Sequence, residues 1–474
     1  MEHLSGYGGC DKEKLRLLAF GCNLYGQLTD DPDWSIETNW KTTEVDTDWF
    51  KNGNTDRNDT PAEPIREPSL FTSVDTPTVV MTARESMRVL YVGSHSICVE
   101  RDGNIYLRGL LSTYAPGNSR KTRELAVPLP PGVQTCNVTK AFGTRWAFLG
   151  LILSDGSVYT FSLTDWSFTI LRCAATENPV DDIQINRLGD ICFLYSPFSE
   201  ETRAGGSIIR IYPPLPSITK HLYDASLQSL ITGSISPIST FHLKTDYPSE
   251  GVSKKVIFKS ISSTSTGFVA LTSNGNIYTY GDQRFNSLGR PPDAVITSIA
   301  GANAQGWGQV TALEGIVINQ IGANPGGHVQ GALAEDGTVY IWGGDGTENI
   351  NTSLEPRSKG GEEDEEVVMV DIVHPHGSEP VGFDGVYVGE DYVVLAEEES
   401  RYLWVSGGSD MGQTGFGSDY RCLPTALGVD EEIKKRKGVW RRLDLGMIEG
   451  RWRITKVDCG SGYNLVLLDS NISA

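Results

Sequence analysis

The sequence predicts an all-β chain, a seven-bladed β-propeller closed by pairing of its N-terminal and C-terminal strands. Three observations predict it. Glycine is abundant, with 52 in 474 residues, above the roughly 7% of ordinary chains. Those glycines recur in one unit: an apolar strand ending near a glycine, a second apolar strand, a polar-Gly turn, and a third strand closing on a glycine. The last half-unit is C-terminal and its complement N-terminal, as expected of a ring sealed by its own ends, which removes exposed sheet edges.

Five units read clearly: 89–109, 138–163, 256–281, 318–344 and 385–408. Four of them carry Asp102-Gly103, Asp155-Gly156, Asn274-Gly275 or Asp336-Gly337 between β-prone runs. Asp-Gly and Asn-Gly favour two-residue hairpin turns, because primed turns need positive φ. The runs that follow, Ile-Tyr-Leu, Val-Tyr-Thr, Ile-Tyr-Thr and Val-Tyr-Ile, alternate as half-buried strands do. A sixth, degenerate unit spans 180–214, its turn a longer loop containing Gly205-Gly206. The seventh joins 17–28 to 454–470. A single domain over 1–474 follows, with insertions at 29–88, 215–255, 345–384 and 418–453 and little helix.

The net charge of −20 opposes direct nucleic-acid binding, which draws its affinity from lysine and arginine releasing counterions. It favours a protein partner with a basic or mixed-charge surface. Eight cysteines without a C-x-x-C give no zinc knuckle and read as free thiols of a reducing compartment. The N-terminus lacks the pattern of a secretory signal, and no apolar run is long enough to span a membrane. There is no G-x-S-x-G, H-E-x-x-H or Walker loop, so no catalytic residue, metal or cofactor is assigned. His374-Pro375-His376 lacks a third ligand.

Two insertions supply candidate partner-binding residues. Between Asp30 and Glu67 lie eleven acidic and four basic residues, with Trp34, Trp40, Trp49 and Phe50 among them and Asp46 and Asp48 beside the last two. Aromatic anchors in a charged rim suit a protein interface, while the same tryptophans could also fold back onto the propeller. The run Gly360-Gly361-Glu362-Glu363-Asp364-Glu365-Glu366 fits a basic partner or a solvated loop. Lys434-Lys435-Arg436-Lys437, with Arg441 and Arg442, fits a localisation signal, a phosphate patch or the solvated face of a short helix.

Phe20-Gly21-Cys22-Asn23-Leu24-Tyr25-Gly26-Gln27-Leu28 resembles the W-G-x-N-x-x-G-Q-L signature of the regulator-of-chromosome-condensation repeat. Tyr280 to Gly289 and Ser406 to Gly415 are further copies, and Ala332 to Gly343 is similar to the A-L-T-x-D-G-x-V-Y-x-W-G core. The sequence departs at the family's G-x-x-H site, where Trp146, Tyr392 and Tyr463 follow Gly143, Gly389 and Gly460, and where His95 and His328 fit only with gaps. The resemblance implies a non-enzymatic protein-binding scaffold or regulatory subunit, cytoplasmic or nuclear. The split terminal unit and acidic balance look most like the alpha-tubulin-suppressor, or killer-toxin-insensitivity, branch. That branch implies a small zinc-protein partner and a role in Elongator-dependent tRNA wobble-uridine modification and diphthamide synthesis. The alternatives are a guanine-nucleotide exchange factor for the small GTPase Ran and a chromatin-complex adaptor.

Overall fold

The computed structural model describes residues 14–22, 73–94, 96–109, 124–145, 148–162, 166–171, 179–196, 207–214, 236–243, 256–283, 285–291, 304–344, 367–370, 372, 380–397, 402–407, 440–445 and 452–470. They form seven four-stranded antiparallel sheets. The chain opens with β1 (Leu15–Cys22) and β2 (Ser73–Ala83). The first blade is β3 (Met87–Val92), β4 (Ser96–Arg101), β5 (Asn104–Gly109) and β6 (Glu124–Val127). The second is β7 (Val138–Gly143), β8 (Phe148–Leu153), β9 (Val158–Ser162) and β10 (Ser167–Leu171). The third is β11 (Val180–Ile185), β12 (Ile191–Tyr195), β13 (Ile208–Tyr212) and β14 (Ser239–His242). The fourth is β15 (Phe258–Ser263), β16 (Gly267–Thr272), β17 (Ile277–Asp282) and β18 (Ala304–Gln309). The fifth is β19 (Ile318–Ala323), β20 (Gln330–Ala334), β21 (Val339–Trp342) and β22 (Val367–Val370). The sixth is β23 (Phe383–Val388), β24 (Tyr392–Glu397), β25 (Tyr402–Gly407) and β26 (Arg441–Asp444). The chain ends with β27 (Arg453–Cys459) and β28 (Tyr463–Asp469), which join β1 and β2 in the order β2-β1-β28-β27. In this closing blade Leu17 faces Leu467 and Gly21 faces Tyr463.

Each blade has a fourth, outer strand that the three-strand repeat does not include, and in four of the seven blades it lies inside a predicted insertion. Segment 29–88 contains β2, 215–255 contains β14, 345–384 contains β22 and 418–453 contains β26. These outer strands are hard to see in sequence because most are short and half-exposed, such as Ser-Thr-Phe-His and Val-Val-Met-Val. Second strands are the opposite case: β8, β12, β16, β20 and β24 are buried at every residue. Sheets face sheets on both sides, so these strands read as continuous apolar runs rather than alternations.

The core is seven apolar clusters, one at each seam between neighbouring blades. The seam between the sixth and closing blades packs Leu403, Val405 and Val394 against Leu18, Phe20 and Val466. A ring built this way loses a whole seam on each side if one blade fails to form.

The hairpin turns depart from expectation at three of four sites. Asp102 and Gly103 have φ of 47° and 78°, and Arg101 pairs with Asn104, which is the expected two-residue primed turn. At the other three sites only the glycine is left-handed. There the loop closes from Leu153 N to Ser157 O, Thr272 N to Asn276 O and Ala334 N to Thr338 O. These are three-residue loops in which glycine makes the bulge. Asp155 and Asp336 sit on the right-handed side and accept hydrogen bonds from Ser157 N at 2.8 Å and Thr338 N at 3.0 Å. At 180–214 the segment 197–206, with Gly205-Gly206, lies outside the described residues.

Candidate binding face at the channel mouth

The innermost strands β3, β7, β11, β15, β19, β23 and β27 surround an axial cavity of about 350 Å³. Each of the seven carries a register shift against its second strand, for example between Val138 and Lys140 or between Ile454 and Lys456. A bulge bends a strand and raises its twist, which lets seven strands crowd one axis. Polar groups on the wall are mostly satisfied by the wall itself. Gln320 Nε2 donates to Val386 O at 2.9 Å, Ser262 Oγ to Ala323 O at 3.3 Å, and Lys456 Nζ to Val89 O at 3.2 Å. Lys456 also pairs with Asp458 Oδ1 at 2.8 Å. Asp458 Oδ2 is shielded from solvent and has no hydrogen-bond partner among the described residues.

One end of this channel is crossed by a polar network drawn from four blades. Ser94 follows β3, Arg145 follows β7, Glu390 follows β23 and Ser461 follows β27. Ser94 Oγ lies 2.6 Å from Ser461 Oγ, and Arg145 Nε reaches both hydroxyls at 3.2 Å. Arg145 Nη2 meets Glu390 Oε2 at 2.5 Å, joining the second blade to the sixth across the first and closing blades. Ser94 N donates to Arg145 O at 2.7 Å, which fixes the arginine backbone as well. Asn324, after β19, donates to Cys459 O at 3.2 Å and accepts from Gly326 N at 2.8 Å.

Burial dominates the electrostatics of this mouth. It raises the Glu390 carboxyl, with Asp391 adding to the rise, while Arg145 and the Ser461 hydroxyl oppose it. Burial likewise lowers Arg145, against the pull of Glu390. Each charge is thus held half out of water and depends on the other for its stabilisation. Next to this pair, Arg187 and Leu188 stand exposed in the β11–β12 loop.

Topology decides what else reaches this face. Strand three of each blade runs parallel to strand one, so both end at the mouth. Cys22 pairs with Ser73, and Trp342 with Val367. The chain therefore leaves and re-enters on this face at both acidic segments. Trp34, Trp40, Trp49, Phe50, Asp46 and Asp48 lie in 23–72, and Glu362, Glu363 and Asp364 in 345–366, all outside the described residues. So do Lys434–Lys437, His374, His376, His95 and Trp146.

Arg442, from the basic stretch, serves the blade itself. It clamps Glu397 through Nε at 3.0 Å and Nη2 at 2.8 Å, while Trp404 Nε1 donates to the same carboxylate at 2.8 Å. Among the described residues no cluster of three or more histidine, cysteine, aspartate or glutamate side chains suits a metal, and Cys98, Cys136, Cys192 and Cys459 are free. No helix among them is long and apolar enough to cross a membrane.

The mouth residues do not stand out in the sequence, where these loops are marked only by the aromatic at their end. Their signal is the variable pair inside the same loop: Thr144-Arg145 after Gly143, Glu390-Asp391 after Gly389, and Ser461-Gly462 after Gly460. Repeats stacked about an axis bring equivalent loop positions together, so complementary charges there are candidates for contact.

No protein-family model and no curated protein matches the sequence. The solved structures do show similarity. Yeast RCC1 (Prp20), solved bound to Kap60, is 13% identical with a TM-score of 0.58, over 97% of this chain and 90% of that one. Prp20p from Saccharomyces cerevisiae, described with its binding to Gsp1p and histones, is 13% identical with a TM-score of 0.56, over 97% and 93%. Human WBSCR16 is 12% identical with a TM-score of 0.57, over 97% and 100%. The fold is thus that of the RCC1-like seven-bladed propellers.

Proposed function

We propose that the chain is a non-enzymatic protein-binding propeller that captures a basic or mixed-charge protein on the face around the channel mouth. The observation that carries this reading is the shared exit of both acidic segments beside a cross-blade polar network. Acidic segments speed encounter with a basic surface, and buried aromatics supply affinity once contact is made. Trp34, Trp40, Trp49 and Phe50 are the proposed anchors, with Asp46, Asp48, Glu362, Glu363 and Asp364 steering.

The test is affinity capture from cytoplasmic and nuclear extracts followed by mass spectrometry. Changing Trp34, Trp40 and Trp49 together to Ala is expected to abolish capture with little change in thermal stability. A large stability loss would instead place those tryptophans in the core. Raising salt from 50 to 500 mM, as a screening test, is expected to slow association on the order of tenfold. Recovery of a small zinc protein supports the Elongator and diphthamide branch. Acceleration of GDP release from Ran at catalytic amounts supports exchange activity, and recovery of histones supports a chromatin adaptor.

A further inference from the structure

We infer that the outer edge of the second blade is a homodimer interface, in which β10 pairs antiparallel with β10 of a second copy of this chain about a two-fold axis at Thr169. Every blade ends on an outer strand to which no further described strand pairs. Such edges are kept apart by charge, proline, bulges or short length. β2 carries Asp75 and Pro77 and two register shifts. β6 carries Glu124, ion-paired with Arg101 at 2.6 Å. β18 holds Gly306 and Gly308 beside a register shift. β26 is Arg-Arg-Leu-Asp, and β14 and β22 are only four residues long. β10 has none of these devices. Its Ser-Phe-Thr-Ile-Leu is five residues long, uncharged, without proline or glycine, and in unbroken register with β9.

The ladder fixes which backbone groups face outward. The loop bond from Leu153 N to Ser157 O, with the Leu151–Tyr159 pairing, turns the N–H and C=O groups of Val158 and Thr160 toward β10. Those of Thr169 and Leu171, opposite them, point back into the sheet. The N–H and C=O groups of Phe168 and Ile170 therefore point out. These two residues stand symmetrically about Thr169. A two-fold axis there sets Phe168 of each copy against Ile170 of the other and satisfies all the outward groups at once. The side chains agree. Thr169 and Ile170 are exposed, Ile170 at 39%. Alternation puts Ile170 on the same face as Phe168, which packs on the seam between the first and second blades. Pairing covers each exposed isoleucine with the phenylalanine of the other copy. Charge selects this occupant too. A basic partner drawn by a chain of −20 finds no acid on β10, whereas two uncharged strands meet without like charges on the ladder.

The experiment is sedimentation velocity on the full chain, from about 1 to 100 μM protein at about 50 and 500 mM salt. A reversible monomer–dimer equilibrium is expected, since one strand pair is a small contact. Dimerisation is expected to tighten several-fold at the higher salt, because screening relieves the repulsion between two chains of −20. Capture of a basic partner moves the opposite way. Ile170→Pro removes an outward N–H and no bond of the β9–β10 ladder, and Thr169→Lys sets two ammonium groups side by side. Each is expected to abolish the dimer with the melting curve little changed. Met369→Lys, at an exposed apolar residue of β22, is expected to dimerise as the wild type does. Register is read with Thr169→Cys and diamide, which takes up the two thiol hydrogens as the sulfur–sulfur bond forms. A residue paired with itself lies within disulfide reach, so a covalent dimer above the wild-type background is expected, and none from Ser167→Cys. If Ile170→Pro unfolds, Thr169→Lys and the crosslink still decide. A monomer at every concentration, wild-type dimerisation by Ile170→Pro or Thr169→Lys, or equal crosslinking of both cysteine variants would each overturn the inference. So would loss of a captured partner, in place of dimer loss, in Ile170→Pro, which would give the edge to a strand of another protein. The mouth-face reading is tested apart from this one, because its tryptophan triple variant is expected to keep the dimer.

Discussion

The Tyr392 hydroxyl lies 2.7 Å from the carbonyl oxygen of Tyr463, across the seam between the sixth blade and the closing blade. It also reaches Gly460 O at 3.1 Å, and the Tyr463 hydroxyl in turn donates to Gly93 O in the first blade. Two tyrosines, in the loops that follow Gly389 and Gly460, thus tie three consecutive blades at the point where the ring closes. Burial pushes the Tyr392 phenol well above its ordinary range, so it remains a donor through neutral and mildly alkaline pH.

Tyr392→Phe removes that donor and leaves two buried carbonyls short of it. A loss of about 1–3 kcal/mol is expected by denaturant titration, with the blades still formed by circular dichroism. A change within experimental error would show that the seam is held by apolar packing alone.

Two glycines with the same backbone conformation separate strain from crowding. Gly275 and Gly315 have φ of 86° and 83°. A Cβ on Gly315 meets nothing within 4 Å, whereas one on Gly275 would stand 2.7 Å from Ile318 N, at the entry to the next blade. Gly315→Ala is expected to cost about 1–2 kcal/mol for the left-handed conformation. Gly275→Ala is expected to cost clearly more in parallel melting experiments, because a backbone atom of the neighbouring blade must move.

Acid stability carries the mark of Asp102. Burial opposes ionisation there, but the backbone N–H groups of Glu85, Ser86 and Arg84 together hold the carboxyl below its ordinary 3.8. A carboxylate with a depressed folded pKa contributes stability above its unfolded pKa and loses it as pH falls through the folded value. Asp102→Asn is therefore expected to narrow the stability gap from wild type as pH drops below about 4. An unchanged gap between pH 7 and pH 2 in the melting curves would rule this out.

The Arg442–Glu397 clamp predicts that charge alone is insufficient in the sixth blade. Lysine cannot make the two-pronged contact or lie over the Tyr402 ring, which the guanidinium carbon approaches to 3.5 Å. Arg442→Lys is expected to lower stability by about 1–3 kcal/mol. Full recovery by lysine would reduce the clamp to a simple ion pair.

Closure itself is testable by deletion. Removing residues 1–22 takes away β1, the strand that pairs with both β2 and β28. It strips Leu18 and Phe20 from one seam and Leu17 and Ala19 from the next. Loss of the cooperative transition is expected, since both neighbours of the closing blade would be exposed.

The repeat, the hairpin glycines, the buried second strands and the split closing blade are all legible in the amino-acid order. They follow from turn preference and side-chain alternation, which act over a few residues and recur in every unit. Outer strands such as β14 and β26 become visible only in three dimensions, because a short half-exposed strand takes its place from the edge it pairs with. The mouth network exists only through the assembled ring. Arg145 and Glu390 are 245 residues apart, and only a closed ring of defined blade number brings their two loops to one axis. Local sequence specifies the three inner strands of each blade, while the meeting of charges at the channel depends on all seven closing together.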